Sequence, residues 1–250
     1  MELNRRVQMF YQDHPLMVSS PFGGVDGINR DLFAATIDKL EIDLRGKRVL
    51  DIGCGRGFAQ HVVRERGGTY TGVDFVPNGI GFPLAQGDAN SLPFQSHSFD
   101  VVFCIDAFEH FPRPLRATAE IKRVLRSDGT FFLSAPNYSN VAGLVKKFSE
   151  AVGAYEPNTW APFGRWQPQE WETPLTGRFL RRLFRTTGFR RAKRIGHPAE
   201  IGLGLFPWID HPRMPEAIQF RLQRLFALVG PAIAAVCPGA SLHGFWKIEC

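Results

Sequence analysis

The sequence predicts an α/β protein built on a doubly wound, mostly parallel sheet. Three observations predict it. Residues 49–52 form a short apolar run interrupted only by Asp51, as expected of a central parallel strand. That run ends in Gly53, Gly55 and Gly57, every second residue, and a helical stretch follows over 59–65. After Gly67-Gly68 a second strand-like run, 69–75, ends in Asp74, 23 residues beyond Asp51. Glycines at a strand-to-helix turn permit positive φ and close approach of the backbone to a ligand. The helix that follows points its first N–H groups at that ligand. The pattern here is D-x-G-x-G-x-G. It is neither the G-x-G-x-x-G of a dinucleotide fold nor a phosphate loop with its Lys-Ser/Thr. An acid at the strand end repels phosphate and suits an ammonium group or another cation.

Bulk properties bound the rest. With 250 residues and 44% hydrophobic residues, the chain has ample material for one large domain or a domain with insertions. Cys54, Cys104, Cys237 and Cys250 form no C-x-x-C pair. They read as reduced thiols, with no structural metal. With no basic-apolar-small leader at residue 1, a cytoplasmic location is expected. Charge is uneven. Residues 1–138 carry 15 basic against 16 acidic side chains, whereas 139–250 carry 15 against 8. The C-terminal part either meets an anionic partner or presents a solvated basic face.

Taken in order, residues 3–12 and 28–40 have helical spacing and form a cap region over 1–44, with Phe22 as a candidate lid residue or a plain packing residue. The core runs over 45–138. Strands are expected at 69–75, 84–88, 101–105 and 130–134, with a helix before a Ser127-Asp128-Gly129 turn. The block GDANSLPFQSHSFDVVFCIDAFEH, continued by EIKRVLRSDGTFFLSAP, resembles the type 11 group of class I S-adenosylmethionine-dependent methyltransferases, which includes quinone-biosynthesis enzymes. The resemblance implies a Rossmann-like sheet of seven strands, with an antiparallel strand at one edge and helical insertions. It departs from the family at Ser127-Asp128, where Lys-Pro is common.

The resemblance also implies a site. Asp51, Gly53, Cys54, Gly55 and Gly57 form the cofactor loop, with Asp51 on the methionine side. Asp74, beside Phe75, is the ribose acid; the interval from Asp51 independently fits that role. Asp88 takes the adenine amino group, Ala89 offers its N–H, and Leu92 and Phe94 wall the ring. The carbonyl of Ile105 is a further contact. The cofactor implied is S-adenosyl-L-methionine, with S-adenosyl-L-homocysteine as product.

The acceptor side is less determined. Candidates at the end of the fourth strand are Asp106, Glu109 and His110, because open α/β sheets bind at the carboxyl ends of strands. Glu109-His110 resembles an E-H pair of the family. His110 titrates near neutrality and is either a general base or a packing histidine. Asp106 is its companion candidate, and Asn137 and Tyr138 are candidates for the substrate mouth. No tight Asp/Glu/His cluster for metal-assisted transfer stands out in the sequence.

Beyond 138 the pattern changes. Residues 140–154 read as an amphipathic helix with Val141, Leu144, Val145, Phe148 and Val152 opposite Lys146 and Lys147. Residues 153–175 are irregular and aromatic. Residues 176–187 read as a helix ended by Gly188, with one apolar and one basic side, and 190–195 and 241–250 as strands. Segments 139–175 and 199–239 are expected to be insertions covering the sheet's carboxyl end, with Trp166 and Arg165 at the acceptor. The acceptor expected is a small or medium-sized molecule with an apolar body and an acidic group, methylated on O or N rather than C. One alternative is O-methylation of a lipid or quinone precursor at a membrane surface. Another is a non-catalytic partner module that binds the cofactor. The absence of an N-P-P-Y-like sequence or an RNA-binding module argues against nucleic acid, and oligomeric state is left open.

Overall fold

The computed structural model describes residues 2–13, 30–77, 81–154, 170–210 and 213–250. Phe22, Arg165 and Trp166 lie outside them. The elements are α1 (Glu2–Asp13), α2 (Arg30–Lys39), β1 (Arg48–Ile52), α3 (Gln60–Glu65), β2 (Thr69–Asp74), β3 (Leu84–Gln86), β4 (Phe99–Ile105), α4 (Pro114–Val124), β5 (Leu125–Pro136), α5 (Val141–Ala151), α6 (Gly177–Thr186), β6 (Arg191–Gly196), α7 (Ile201–Leu205), α8 (Glu216–Val236) and β7 (His243–Glu249).

One seven-stranded sheet has the order β3-β2-β1-β4-β5-β7-β6. The first five strands are parallel; β7 is antiparallel to both β5 and β6, so the reversed strand sits one place in from the edge. Alternation along β4 builds two cores. Val101 and Phe103 face Phe33 and Ile37 of α2 and Val62 and Val63 of α3. Val102 and Cys104 face Ile121 and Val124 of α4 and Leu180, Leu183 and Phe184 of α6. A strand covered on both faces must be apolar at consecutive positions, which is the run read in the sequence. The order of strands reverses between β1 and β4, so a crevice opens at their carboxyl ends.

Two expectations are corrected. Ser127-Asp128-Gly129 is not the turn. The chain reverses at Leu125, and residues 126–129 bulge within β5, since Leu125 pairs with Phe99 and Thr130 with Val101. The helix 140–154 is present as α5, capped by Asn140, whose side chain accepts the Gly143 N–H at 3.1 Å. The two lysines grouped as its basic side part company, and Lys147 is exposed. Lys146 is fully buried, while Leu144, Phe148 and Val152 are exposed. Between β6 and β7 lie α7 and the long helix α8, which continues through Pro231 to Val236. Among the described residues, no helix is long and apolar enough to cross a membrane.

Candidate active site

The turn after β1 places the cofactor candidates. Gly53, Gly55 and Gly57 all have positive φ. A Cβ at Gly53 would meet Ala107 Cβ at 2.5 Å, and one at Gly57 would meet the Phe82 ring at 2.2 Å. At Gly55, with φ +49°, a Cβ would meet nothing within 4 Å, so this is the point of the loop open to a ligand. The Cys54 thiol points inward instead, toward Gly72, and burial pushes its pKa up.

Asp51 is buried beside the loop. Its Oδ2 accepts the Tyr70 hydroxyl at 2.6 Å, and its Oδ1 has no hydrogen-bond partner among the described residues. Burial, opposed by the Tyr70 hydrogen bond, pushes its carboxyl up to about 7. An orphaned buried oxygen of this kind fits the ammonium group of an amino-acid moiety. Asp74 ends β2; its Oδ2 accepts the Gly55 N–H at 2.8 Å and its Oδ1 the Val76 N–H at 3.1 Å. It therefore holds the loop, and burial raises its pKa despite these bonds. Each oxygen keeps a lone pair for a diol. Phe75 and Asp88 line a cleft of about 460 Å³ together with Arg5 and Gln8 of α1. Asp88 Oδ1 accepts both the backbone and side-chain N–H of Asn90 at 2.8 Å. Ala89 and Leu92 are buried behind that cleft in the core. The residues present fit an adenosine with an amino-acid tail.

The second half of the site lies at the ends of β4 and β5. Asp106 follows Ile105 with φ +46°, a left-handed conformation that Asp tolerates better than most residues. Its Oδ1 accepts the Ser134 hydroxyl at 2.6 Å and lies 4.0 Å from His243 Nε2. Glu109 is buried, its Oε2 without a hydrogen-bond partner among the described residues; burial, then Asp106, pushes its pKa well above the usual range. His110 Nδ1 lies 2.8 Å from the Trp171 carbonyl. A carbonyl only accepts, so Nδ1 carries the proton. Burial lowers the His110 pKa, and the ring is neutral with its lone pair on Nε2.

One member of this cluster, Glu172, carries no signal in the sequence. Tyr138 donates to Glu172, and Lys146 Nζ sits 3.5 Å from Glu172 Oε1 and 4.9 Å from the centre of the Tyr138 ring. Tyr11 of α1 packs edge-on against the His110 ring at 5.8 Å. An ion pair from Arg6 to Glu170 fastens the cap. Burial and then the carboxylates of Glu109, Asp51, Asp106 and Asp74 push up the pKa of the Cys104 thiol, which places both halves of the site around one strand. Glu170 to Thr173 gave no periodic signal, and only their aromatic-acid composition set them apart.

Asn137 does not line a mouth. It is buried, and its Nδ2 donates to the carbonyls of Gly239 and Ser241, tying β5 to the end of the segment between β6 and β7. Tyr138 is buried too, but within the Glu172 cluster. Among the described residues, no group of three or more His, Cys, Asp or Glu side chains is placed to hold a metal.

A parallel sheet with this strand order, an acid-glycine loop after β1 and a second acid after β2 define a class I S-adenosylmethionine-dependent methyltransferase domain. Residues 50–133 match the family model of a methyltransferase domain. The chain is 42% identical over 103 residues to a probable phthiotriol/phenolphthiotriol dimycocerosates methyltransferase of Mycobacterium ulcerans, covering 36% of this chain and 40% of that protein. It is 36% identical over 136 residues to a fatty-acid O-methyltransferase of Mycolicibacterium smegmatis, covering 48% of each. The chain thus spans half or less of the length of these two relatives. A methyltransferase structure from Archaeoglobus fulgidus shares the fold, with a TM-score of 0.56 at 20% identity over 88% of this chain and 94% of that one.

Proposed function

We propose that the protein transfers a methyl group from S-adenosylmethionine to an oxygen of a lipid-like acceptor. The observation that carries the reading is His110, held by the Trp171 carbonyl in the tautomer that leaves Nε2 free to accept a proton. When bound, the cofactor supplies an electrophilic methyl group on a sulfonium. Asp51 holds the amino group, Asp74 the ribose and Asp88 the adenine. His110 Nε2 takes the proton of an acceptor hydroxyl; an acid acceptor arrives already ionised and needs only to be positioned. Tyr11 closes the site from water. Both relatives, a phthiotriol/phenolphthiotriol dimycocerosates methyltransferase and a fatty-acid O-methyltransferase, support an acceptor with a long apolar body.

The test is transfer of labelled methyl from the cofactor to a long-chain alcohol, a phenol-bearing lipid and a fatty acid, each dispersed in detergent. His110→Ala is expected to lower kcat on the hydroxyl acceptors by about 10²–10⁴-fold, the range for a lost general base. Adenosylhomocysteine affinity should stay within about twofold. Equal loss on the fatty acid, or no loss on the alcohols, removes the base assignment.

A further inference from the structure

We infer that the outward faces of α8 and α5 dock the protein on an anionic lipid surface. α8 is 21 residues long and is held along one stripe only. Gly230 and Ala234 are buried, and Phe226 and Ile233 pack against Ile201 of α7. At 100° per residue the opposite stripe carries Phe220, Arg224, Leu225 and Leu228. All four are exposed, Leu228 to 80%. Beyond Glu216 this helix has no acid, and its only charges are the exposed Arg221 and Arg224. α7 packs between α8 and α5. On α5 the buried Lys146 defines the inner face. The residues opposite it, Leu144, Phe148 and Val152, are exposed, Phe148 to 69%, beside the exposed Lys147. Trp208, half exposed just after α7, adds an amphipathic ring of the type favoured at lipid interfaces.

Apolar side chains of this size interspersed with arginines match an interface of acyl chains and anionic headgroups. A second copy of the chain fits less well, because facing α8 helices would set Arg221 and Arg224 against their own kind with only Glu216 in return. α8 lies on such a surface rather than across it, since its inner stripe remains packed on the protein. α5 makes the surface relevant to the site: its outer face meets lipid while Lys146, on its inner face, pairs with Glu172 beside His110. As a route for delivering the acceptor, the inference rests on the lipid-like reading above; as a binding surface it does not.

The experiment is flotation of the full chain, without cofactor or acceptor, with phosphatidylcholine vesicles and with vesicles containing one third phosphatidylglycerol. Co-flotation is expected with the anionic vesicles and is expected to weaken in high salt. Leu225→Ser with Leu228→Ser should lower partitioning at least tenfold with adenosylhomocysteine affinity unchanged. Arg221→Ser with Arg224→Ser should lose about tenfold or more on anionic vesicles, because each basic residue near such a surface contributes roughly 1 kcal/mol. Wild-type protein that stays at the bottom of the gradient with anionic vesicles overturns the inference. So does a dimer that the leucine pair converts to monomer, which assigns the face to self-association. Transfer to detergent-dispersed acceptor with no flotation would leave the proposed function standing and this inference refuted; flotation without transfer would do the reverse.

Discussion

Asp51 keeps a carboxyl buried with one oxygen unbonded among the described residues, and its pKa of about 7 records the cost of ionising it without a cation. The sign of the linkage follows. A carboxyl raised from 3.8 to about 7 lowers the stability of the ligand-free protein as pH rises between those values, and the loss is constant above. Asp51→Asn should therefore stabilise the ligand-free protein at pH 8, by about 1–3 kcal/mol in urea unfolding, while weakening adenosylhomocysteine. In the wild type, calorimetry should show affinity falling below pH 7, approaching about tenfold per pH unit for one linked proton, and the variant should lack that dependence. Pairing of the ammonium elsewhere would leave both affinity and pH profile unchanged. Asp74→Ala removes charge-assisted bonds worth about 1.5–3 kcal/mol, so affinity should drop roughly ten- to hundred-fold. Gly55→Val should abolish binding, because the residue combines φ +49° with the open face of the loop. A Gly55→Val protein with normal affinity would place the ligand elsewhere.

At the scale of elements, what could be read from the sequence depended on whether a partner was local. β1, β2 and β4 were legible because a strand covered on both faces is apolar without regard to what covers it. The acids at their ends were legible from spacing alone. α5 was legible as a helix, and its orientation was not. Lys146 turns inward because Glu172, remote in sequence, meets it at 3.5 Å. Glu172 was missed for the same reason: a buried polar pair has no periodicity. Burial lowers the Lys146 pKa, and Glu172 opposes that. Lys146→Met should cost about 3–5 kcal/mol by stranding Glu172, whereas Lys146→Met combined with Glu172→Gln should cost less than the two single changes together. Additive losses in a thermal double-mutant cycle would show that the pair is not coupled.

Across the whole molecule, the segment between β6 and β7 is joined to the sheet by a buried ion pair. Glu200, at the start of that segment, accepts from His243 of β7 through Nδ1 at 2.6 Å and through the backbone N–H at 3.0 Å. The same imidazole lies 4.0 Å from Asp106, so the pair also underlies the floor of the site. Burial by itself would lower the His243 pKa; Glu200 outweighs it and pushes it up to about 9. Glu200 is held below its usual range by the same contact, against its own burial. A histidine raised from 6.5 to about 9 contributes stability that is fully present below pH 6.5 and is lost as pH rises through 9. The glutamate contributes stability present above 4.5 and lost as pH falls below it. Asp51 weakens the ligand-free protein in the same direction as His243 but over lower pH, up to about 7. The ligand-free chain should therefore be most stable on the acid side of neutrality, near the window between the glutamate and the histidine. His243→Gln isolates the upper slope. Relative to wild type it should cost about 3–5 kcal/mol near pH 6, where it strands Glu200, and progressively less toward pH 9.5. Urea unfolding from pH 5.5 to 9.5 gives the difference directly. A difference constant across that range would mean that His243 is neutral in the folded protein and that hydrogen bonding alone seats the segment.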